Sequence, residues 1–149
     1  LIRYVRQNSF QNWEADSVWS VRLADSRIIK NEQTIPFVKL NLPLSEGKTW
    51  DGNLFNAEKP QEYLVEYLGT SQNMNGIDYP NTLGIIEKAD SSLVSRNVRR
   101  VVYAENIGLV YQKSESLIYC NDPSINCFGL NIIERGEIVE TVLFDWGQE

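Results

Sequence analysis

The sequence predicts an all-β fold, a single antiparallel domain over residues 1–149 in which about eight or nine short strands form a strongly curved sheet, a barrel or a sandwich. Three observations support this prediction. Apolar and polar residues alternate in short stretches, turn-forming residues recur about every 8 to 15 residues, and no stretch has the spacing of an amphipathic helix. A chain of 149 residues is also the size of one ordinary domain.

The first half of the chain predicts four short strands, each with alternating apolar and polar residues. One lies at residues 2–5, and the others begin near Ser17, Val38 and Tyr63. We expect the apolar faces of the second and third strands to share one core, made of Trp19, Val21, Leu23, Val38, Leu40 and Leu42.

Three polar stretches are predicted to be connections. Residues 45–56 contain Gly47-Lys48-Thr49, which resembles the end of a phosphate-binding loop, but Leu42 stands where that motif needs its first glycine. Residues 70–81 predict a loop that lacks the spacing and the closing glutamate of an EF-hand calcium site. Residues 91–97 predict a polar connection.

The stretch Tyr103–Tyr111 predicts the hairpin around which the rest of the sheet is organised. β-branched and aromatic residues lead into it from Val98, and apolar alternation resumes at Leu109. We expect Gly108 to take a positive φ and to carry the turn, because the β-branched Ile107 adopts that conformation poorly.

Three further strands complete the prediction. One lies at residues 83–87, between the polar stretches. Another begins at Leu130 and turns at Glu134-Arg135-Gly136, and the last covers residues 138–144.

The composition excludes several classes of chemistry. The chain contains no histidine, so Ser-His-Asp and Cys-His nucleophile systems, His-ligated zinc and histidine acid–base catalysis are ruled out. No pair of carboxylates can be chosen from spacing alone for a hydrolase. We therefore predict that the protein is not an enzyme and uses no cofactor or metal.

The charge of the chain argues against a nucleic-acid partner. The formal net charge is −6, which repels a phosphate backbone. Arg96, Arg99 and Arg100 form the only basic cluster, and Arg99 and Arg100 point to opposite faces of a strand. No stretch approaches the run of about 20 apolar residues that spans a membrane.

The two cysteines, Cys120 and Cys127, are predicted to form a disulfide. Their spacing is too wide for the Cys-x-x-Cys redox motif, and two cysteines are too few for a structural zinc site. Asp122-Pro123-Ser124 favours a turn that would bring the cysteines together. The alternative is two separate buried thiols, whereas a bridge would imply an oxidising compartment.

Four aromatic side chains are candidate ligand contacts, because aromatic residues on a curved sheet could line an apolar cleft. They are Trp19, Trp50, Tyr63 and Tyr67. Trp50 precedes the turn-forming Asp51-Gly52, so packing of its indole over the end of a sheet is the alternative interpretation.

Three segments, taken in order, resemble uncharacterised envelope lipoproteins of gut-dwelling Gram-negative bacteria. They are Phe37–Leu40, Gly47–Asn53 and Tyr103–Tyr111, and the similarity covers about residues 17–146. The resemblance implies an all-β fold, export through a lipoprotein signal, and no assigned catalytic residue. It also implies a location in the cell envelope, either periplasmic or held at the outer membrane by a lipid anchor on a removed segment.

The tripeptide Asp16-Ser17-Val18 resembles the three-residue O-glycosylation signal of such bacteria. The resemblance makes Ser17 a candidate modification site.

Three classes of function follow from these observations. We expect first a binding or assembly module of the cell envelope, for an apolar small molecule or an envelope protein, which predicts a concave surface. The second class is a structural or interaction protein that uses a sheet edge or a flat apolar patch. A hydrolase that uses two carboxylates is the third.

Overall fold

The computed structural model describes residues 2–147 and shows an all-β protein with two antiparallel sheets. Within that range the chain forms ten strands and no helix, so the all-β antiparallel prediction is confirmed, with more strands than the predicted eight or nine. The described residues also contain no helix that is long and apolar enough to cross a membrane.

The strands follow one another along the chain with short connections. They are β1 (Ile2–Val5), β2 (Glu14–Ala24), β3 (Arg27–Glu32), β4 (Ile35–Asn41), β5 (Thr49–Asp51), β6 (Glu62–Met74), β7 (Ile77–Ser91), β8 (Ser95–Ala104), β9 (Gly108–Tyr119) and β10 (Ile133–Val142).

The chain divides into two compact units. The first contains Leu1–Leu44 and Trp50–Gln61, and the second contains Ser45–Thr49 and Glu62–Glu149. The expectation of one domain over residues 1–149 stays a prediction.

The first unit contains a meander with the strand order β1-β2-β3-β4. Two-residue turns join β2 to β3 at Asp25-Ser26 and β3 to β4 at Gln33-Thr34, and all four turn residues have a positive φ. That conformation suits a hairpin, because its twist matches the twist of the flanking strands. The sequence did not predict β3, since Arg27–Glu32 is mostly polar.

The predicted core of the first unit is wrong in part. Val21 is 48 % exposed and Leu23 is 68 % exposed, whereas Val38 is 1 % exposed. The physical reason is that β3 lies between β2 and β4 in the sheet, so Ile29 of β3 takes the buried position beside Val38.

The second sheet has the strand order β10-β9-β8-β7-β6-β5, and its strands β6 to β10 belong to the second unit. Its β6–β7 hairpin turns at Asn75-Gly76, where φ is +52° and +81°. The predicted loop at residues 70–81 is therefore wrong, because β6 and β7 run through all of it except this turn. Asn-Gly is a strong signal for a two-residue hairpin turn. The polar stretch 91–97 is likewise mostly strand, with only residues 92–94 between β7 and β8.

The predicted central hairpin is confirmed. It is formed by β8 and β9, which lie between β7 and β10 in the sheet. Gly108 has a φ of +105° and pairs with Ala104 across the turn. Asn106 also has a positive φ, of +60°, which the sequence interpretation had left to glycine alone.

The predicted turn at residues 134–136 is wrong, because β10 runs through it. Gly136 pairs with Leu117 of β9, and a Cβ on Gly136 would overlap the Ser116 carbonyl oxygen. The glycine therefore allows a close approach of two backbones. The strand ends at Val142, so Phe144 lies beyond it.

One core cluster of the second unit is centred on Tyr79 of β7, which is 1 % exposed. Tyr79 packs with Val102, Ala104 and Val110, and Met74 from the β6–β7 hairpin packs against the same cluster. This packing holds the hairpin against one face of β8 and β9.

The predicted disulfide is confirmed. Cys120 and Cys127 are bonded, with their Cα atoms 5.8 Å apart. The bridge closes residues 120–127, the first part of the connection between β9 and β10.

Candidate functional site

A row of five residues crosses the second sheet on one face. Tyr67 of β6 pairs with Gly84 of β7, Gly84 with Val102 of β8, Val102 with Tyr111 of β9, and Tyr111 with Val142 of β10. Directly opposite residues of antiparallel strands share a face. The row therefore places two tyrosines on the same face, on either side of Val102.

The next row on this face is charged. Arg100 of β8 pairs with Lys113 of β9, which pairs with Glu140 of β10. Each of these residues is two positions from a member of the first row, so it points to the same side.

Members of both rows and the end of the β6–β7 hairpin border a groove of about 520 Å³, which Gly84 and Lys113 do not line. Glu66, Tyr67, Arg100, Tyr111 and Glu140 line it together with Gln72–Asn75 of the hairpin. All of these residues belong to the second unit. The lining combines aromatic rings, apolar side chains and charged groups.

The position of the Tyr67 ring depends on Gly84, its partner in the neighbouring strand. Its ring lies over Gly84 so closely that a Cβ on Gly84 would overlap the ring. Burial, followed by the nearby Glu66 carboxylate, raises the pKa of Tyr67. The absence of a side chain at Gly84 therefore determines where this ring lies.

Tyr111 is held by a single short hydrogen bond. Its hydroxyl donates to Glu140 Oε1 at 2.7 Å. Burial and then this hydrogen bond raise the pKa of Tyr111 to about 12. Tyr111 therefore stays a neutral donor across the whole physiological pH range.

The charged groups of this face are arranged in pairs. Arg100 Nη2 lies 3.1 Å from Glu66 Oε1 at the groove. Further along the face, Arg96 Nε and Lys113 Nζ lie 2.6 and 2.8 Å from Glu115. Hydrogen bonds from Lys113 and Arg96 hold the pKa of Glu115 below its ordinary value.

The three arginines of the predicted basic cluster each have a carboxylate partner. Arg96 and Arg100 are paired on the groove face, and Arg99 Nε lies 2.9 Å from the buried Glu87 carboxylate. Their positive charges are therefore locally balanced.

The predicted ligand-contacting aromatics do not meet at one site. Tyr67 lines the groove, whereas Tyr63 is buried in β6. Trp50 is buried in the first unit, and its indole N–H donates to the Val38 carbonyl oxygen at 2.8 Å. This geometry fits the packing interpretation of Trp50.

Trp19 lies in the first unit, with Lys30 Nζ 3.6 Å from the centre of its ring. It lines a smaller depression of about 370 Å³ together with Ser17. Ser17 is half-buried, and its hydroxyl donates to Asp16 Oδ2 at 2.9 Å. O-glycosylation of Ser17 stays a prediction.

Sequence reasoning missed Tyr111, Arg100, Glu66 and Glu140 as groove residues. Tyr111 was visible as an apolar member of the central hairpin, but only the register of three strand pairs shows that it shares a row with Tyr67. The two carboxylates that the groove brings together, Glu66 and Glu140, are far apart in the sequence. Spacing alone could not have chosen that pair.

Across the described part of the chain, residues 2–147, no group of three or more acidic or cysteine side chains is placed to hold a metal ion. Comparison of the sequence with protein-family models and curated proteins, and of the fold with solved structures, finds no match. The resemblance to envelope lipoproteins therefore stays a prediction.

Proposed function

We propose that this protein is a binding module of the bacterial cell envelope and that its ligand lies in the groove of the second unit. The observation that supports this most strongly is the pair of fixed tyrosines. The Tyr67 ring lies closely over Gly84, and the Tyr111 hydroxyl donates to Glu140. Side chains that are fixed before binding lose little entropy when a ligand arrives.

The lining indicates the character of the ligand. Met74, Val102 and Val142 supply apolar surface, whereas Glu140 and Arg100 supply hydrogen-bonding groups. A ligand that matches both has apolar surface and polar groups on the same molecule. It is therefore more polar than the apolar ligand expected from the sequence.

The envelope location draws on two observations. The Cys120–Cys127 disulfide fits an oxidising compartment, because such bonds are rare in the reducing cytosol. The resemblance to exported lipoproteins points the same way, and attachment to the membrane would then occur through a lipid anchor.

A binding role also fits the composition. The chain has no histidine, which is the most common general acid and base in enzymes. The two carboxylates of the groove are engaged, Glu66 with Arg100 and Glu140 with Tyr111. We therefore propose a non-catalytic site.

The proposal can be tested by blocking the groove. Ligand-observed NMR with a mixed fragment library would compare the wild type with Val142→Trp, which places an indole at the groove wall. The matched control is Val139→Trp, on the same strand but on the opposite face and 47 % exposed. We expect fragments to bind the wild type and the control and to be lost in Val142→Trp. Equal binding to all three proteins, or to none, would contradict the proposal.

A second candidate function is strand addition at the edge of the same sheet. All residues of β10 except Val142 are exposed, and among the described residues β10 pairs only with β9. An open edge can accept a strand from another protein. Amide hydrogen exchange would show protection of residues 133–142 in a cell-envelope extract if this function operates, and unchanged exchange would exclude it.

A further inference from the structure

We infer that the groove takes a neutral saccharide, with one sugar ring stacked on Tyr67. This inference rests on the proposed function, because it names the ligand class of the same groove. Three features of the lining support it: a fixed aromatic ring, planar polar groups around it, and a nearly balanced charge.

The fixed ring is the first feature. The Tyr67 ring lies where a Cβ on Gly84 would be, and the ring also lines the groove. Across the row, Val102 separates it from Tyr111. Two strand spacings, on the order of 10 Å, separate Gly84 from Tyr111 and set the width of the groove between the two rings. The C–H face of a sugar ring packs well on an aromatic face.

The planar polar groups are the second feature. The groove presents the amides of Gln72 and Asn75, the Arg100 guanidinium and the Glu140 carboxylate. Each of these planar groups offers two or more hydrogen-bonding atoms, which is the arrangement that neighbouring hydroxyls of a sugar require. Within residues 2–147, the structure gives no hydrogen bond to either of these two amides, so both remain available to a ligand.

The charge is the third feature. The groove carries two carboxylates, Glu66 and Glu140, and one guanidinium, Arg100, and Tyr111 stays neutral because its pKa is about 12. Arg100 is already paired with Glu66 at 3.1 Å. The single remaining negative charge disfavours acidic sugars and phosphates, and the polar lining disfavours a purely apolar chain.

Isothermal titration calorimetry would test the ligand class with named probes. The neutral probes are maltohexaose, cellohexaose, mannohexaose and N-acetylchitohexaose, and the comparison probes are hexagalacturonate, palmitate and trilysine. We expect at least one neutral oligosaccharide to bind with a Kd below about 1 mM, at least tenfold more tightly than the comparison probes. Binding should be lost in Val142→Trp and kept in Val139→Trp.

The outcomes separate this inference from the proposed function. If fragments bind in the groove but no neutral oligosaccharide does, or if palmitate or trilysine binds better, the saccharide inference is overturned and the proposed function stands. If no fragment and no probe binds, both are overturned.

A double-mutant cycle tests the role of Gly84 as a positioning residue. A Cβ at this position would push the Tyr67 ring away, so we expect Gly84→Ala to weaken saccharide binding about tenfold, to the level of Tyr67→Ala. The double variant should bind no more weakly than Tyr67→Ala alone, because both changes remove the same platform. Tyr67→Phe, which keeps the ring, should bind nearly as well as the wild type.

The matched control for this cycle is Gly147→Ala, where a Cβ meets open space. Circular dichroism and urea denaturation would confirm that each variant is folded. Unchanged binding in Gly84→Ala, or additive losses in the double variant, would contradict stacking on Tyr67.

Discussion

Gly136 of β10 stands so close to Ser116 of β9 that a Cβ at position 136 would overlap the Ser116 carbonyl oxygen. Gly136 also has a φ of +137°, which L side chains rarely adopt. We therefore expect Gly136→Ala to lower the free energy of unfolding by about 2 kcal/mol or more. Urea denaturation measures this change.

The control is Gly147→Ala, which meets open space and involves no positive φ. If both variants lose equally little stability, the pairing of Gly136 with Leu117 is not the register of β10. The positions of Glu140 and Val142 at the groove would then also be in error, because both residues belong to β10.

Truncations in the first unit test the corrected core. Val38 is 1 % exposed, so Val38→Ala should lower the free energy of unfolding by about 2 kcal/mol. Leu23 is 68 % exposed, so Leu23→Ala should change it by less than about 0.5 kcal/mol. Denaturant midpoints of the two variants give the comparison. A larger loss for Leu23→Ala would restore the core that the sequence predicted.

The hydrogen bond between Tyr111 and Glu140 predicts a pH dependence. The pKa of Tyr111 is raised from 10 to about 12 in the folded protein. Between these values the unfolded chain loses the proton while the folded chain keeps it, so stability is full below about pH 10 and falls as the pH rises through about 12. The difference between the ultraviolet titration curves of the wild type and of Tyr111→Phe should show one phenol with a pKa of about 12. A difference curve centred near pH 10 would mean that the hydrogen bond does not persist in solution.

The disulfide should contribute measurably to stability. It links residues seven positions apart, and the chain-entropy model gives a loop of this size about 2.5 kcal/mol. We expect a Cys120→Ala, Cys127→Ala double variant to lose about that amount in urea denaturation. A loss below about 0.5 kcal/mol would show that the loop is ordered without the bridge.

Much of the fold could be predicted from local patterns. Alternation identified β2, β4 and β6, and β-branched and aromatic residues identified β8. The Tyr103–Tyr111 turn followed from the preference of Gly108 for a positive φ. β3 escaped prediction because its polar residues hide the alternation, and the turn that follows it, Gln33-Thr34, contains no glycine. Gly136 misled the prediction because a glycine that allows close backbone approach resembles a turn glycine in the sequence.

The site was less predictable than the fold. Tyr67 was a candidate from the start, but Trp50 and Tyr63 are buried and Trp19 lies in the other unit. A cross-strand row depends on the register of several strand pairs, and a shift of one residue would turn Tyr111 to the opposite face. Register of this kind is set by tertiary packing, so no local pattern could show that Tyr67, Gly84 and Tyr111 lie in line.

The central claim is that the groove bordered by Tyr67 and Tyr111 is the binding site. Two-dimensional amide NMR of the labelled protein, titrated with the fragment or oligosaccharide that binds most tightly, tests it most directly. We expect the largest chemical-shift changes at Tyr67, Asn75, Val102, Tyr111 and Val142, the residues that line the groove. Changes concentrated in β2–β4 of the first unit, or on the opposite face of β8 and β9, would contradict the claim.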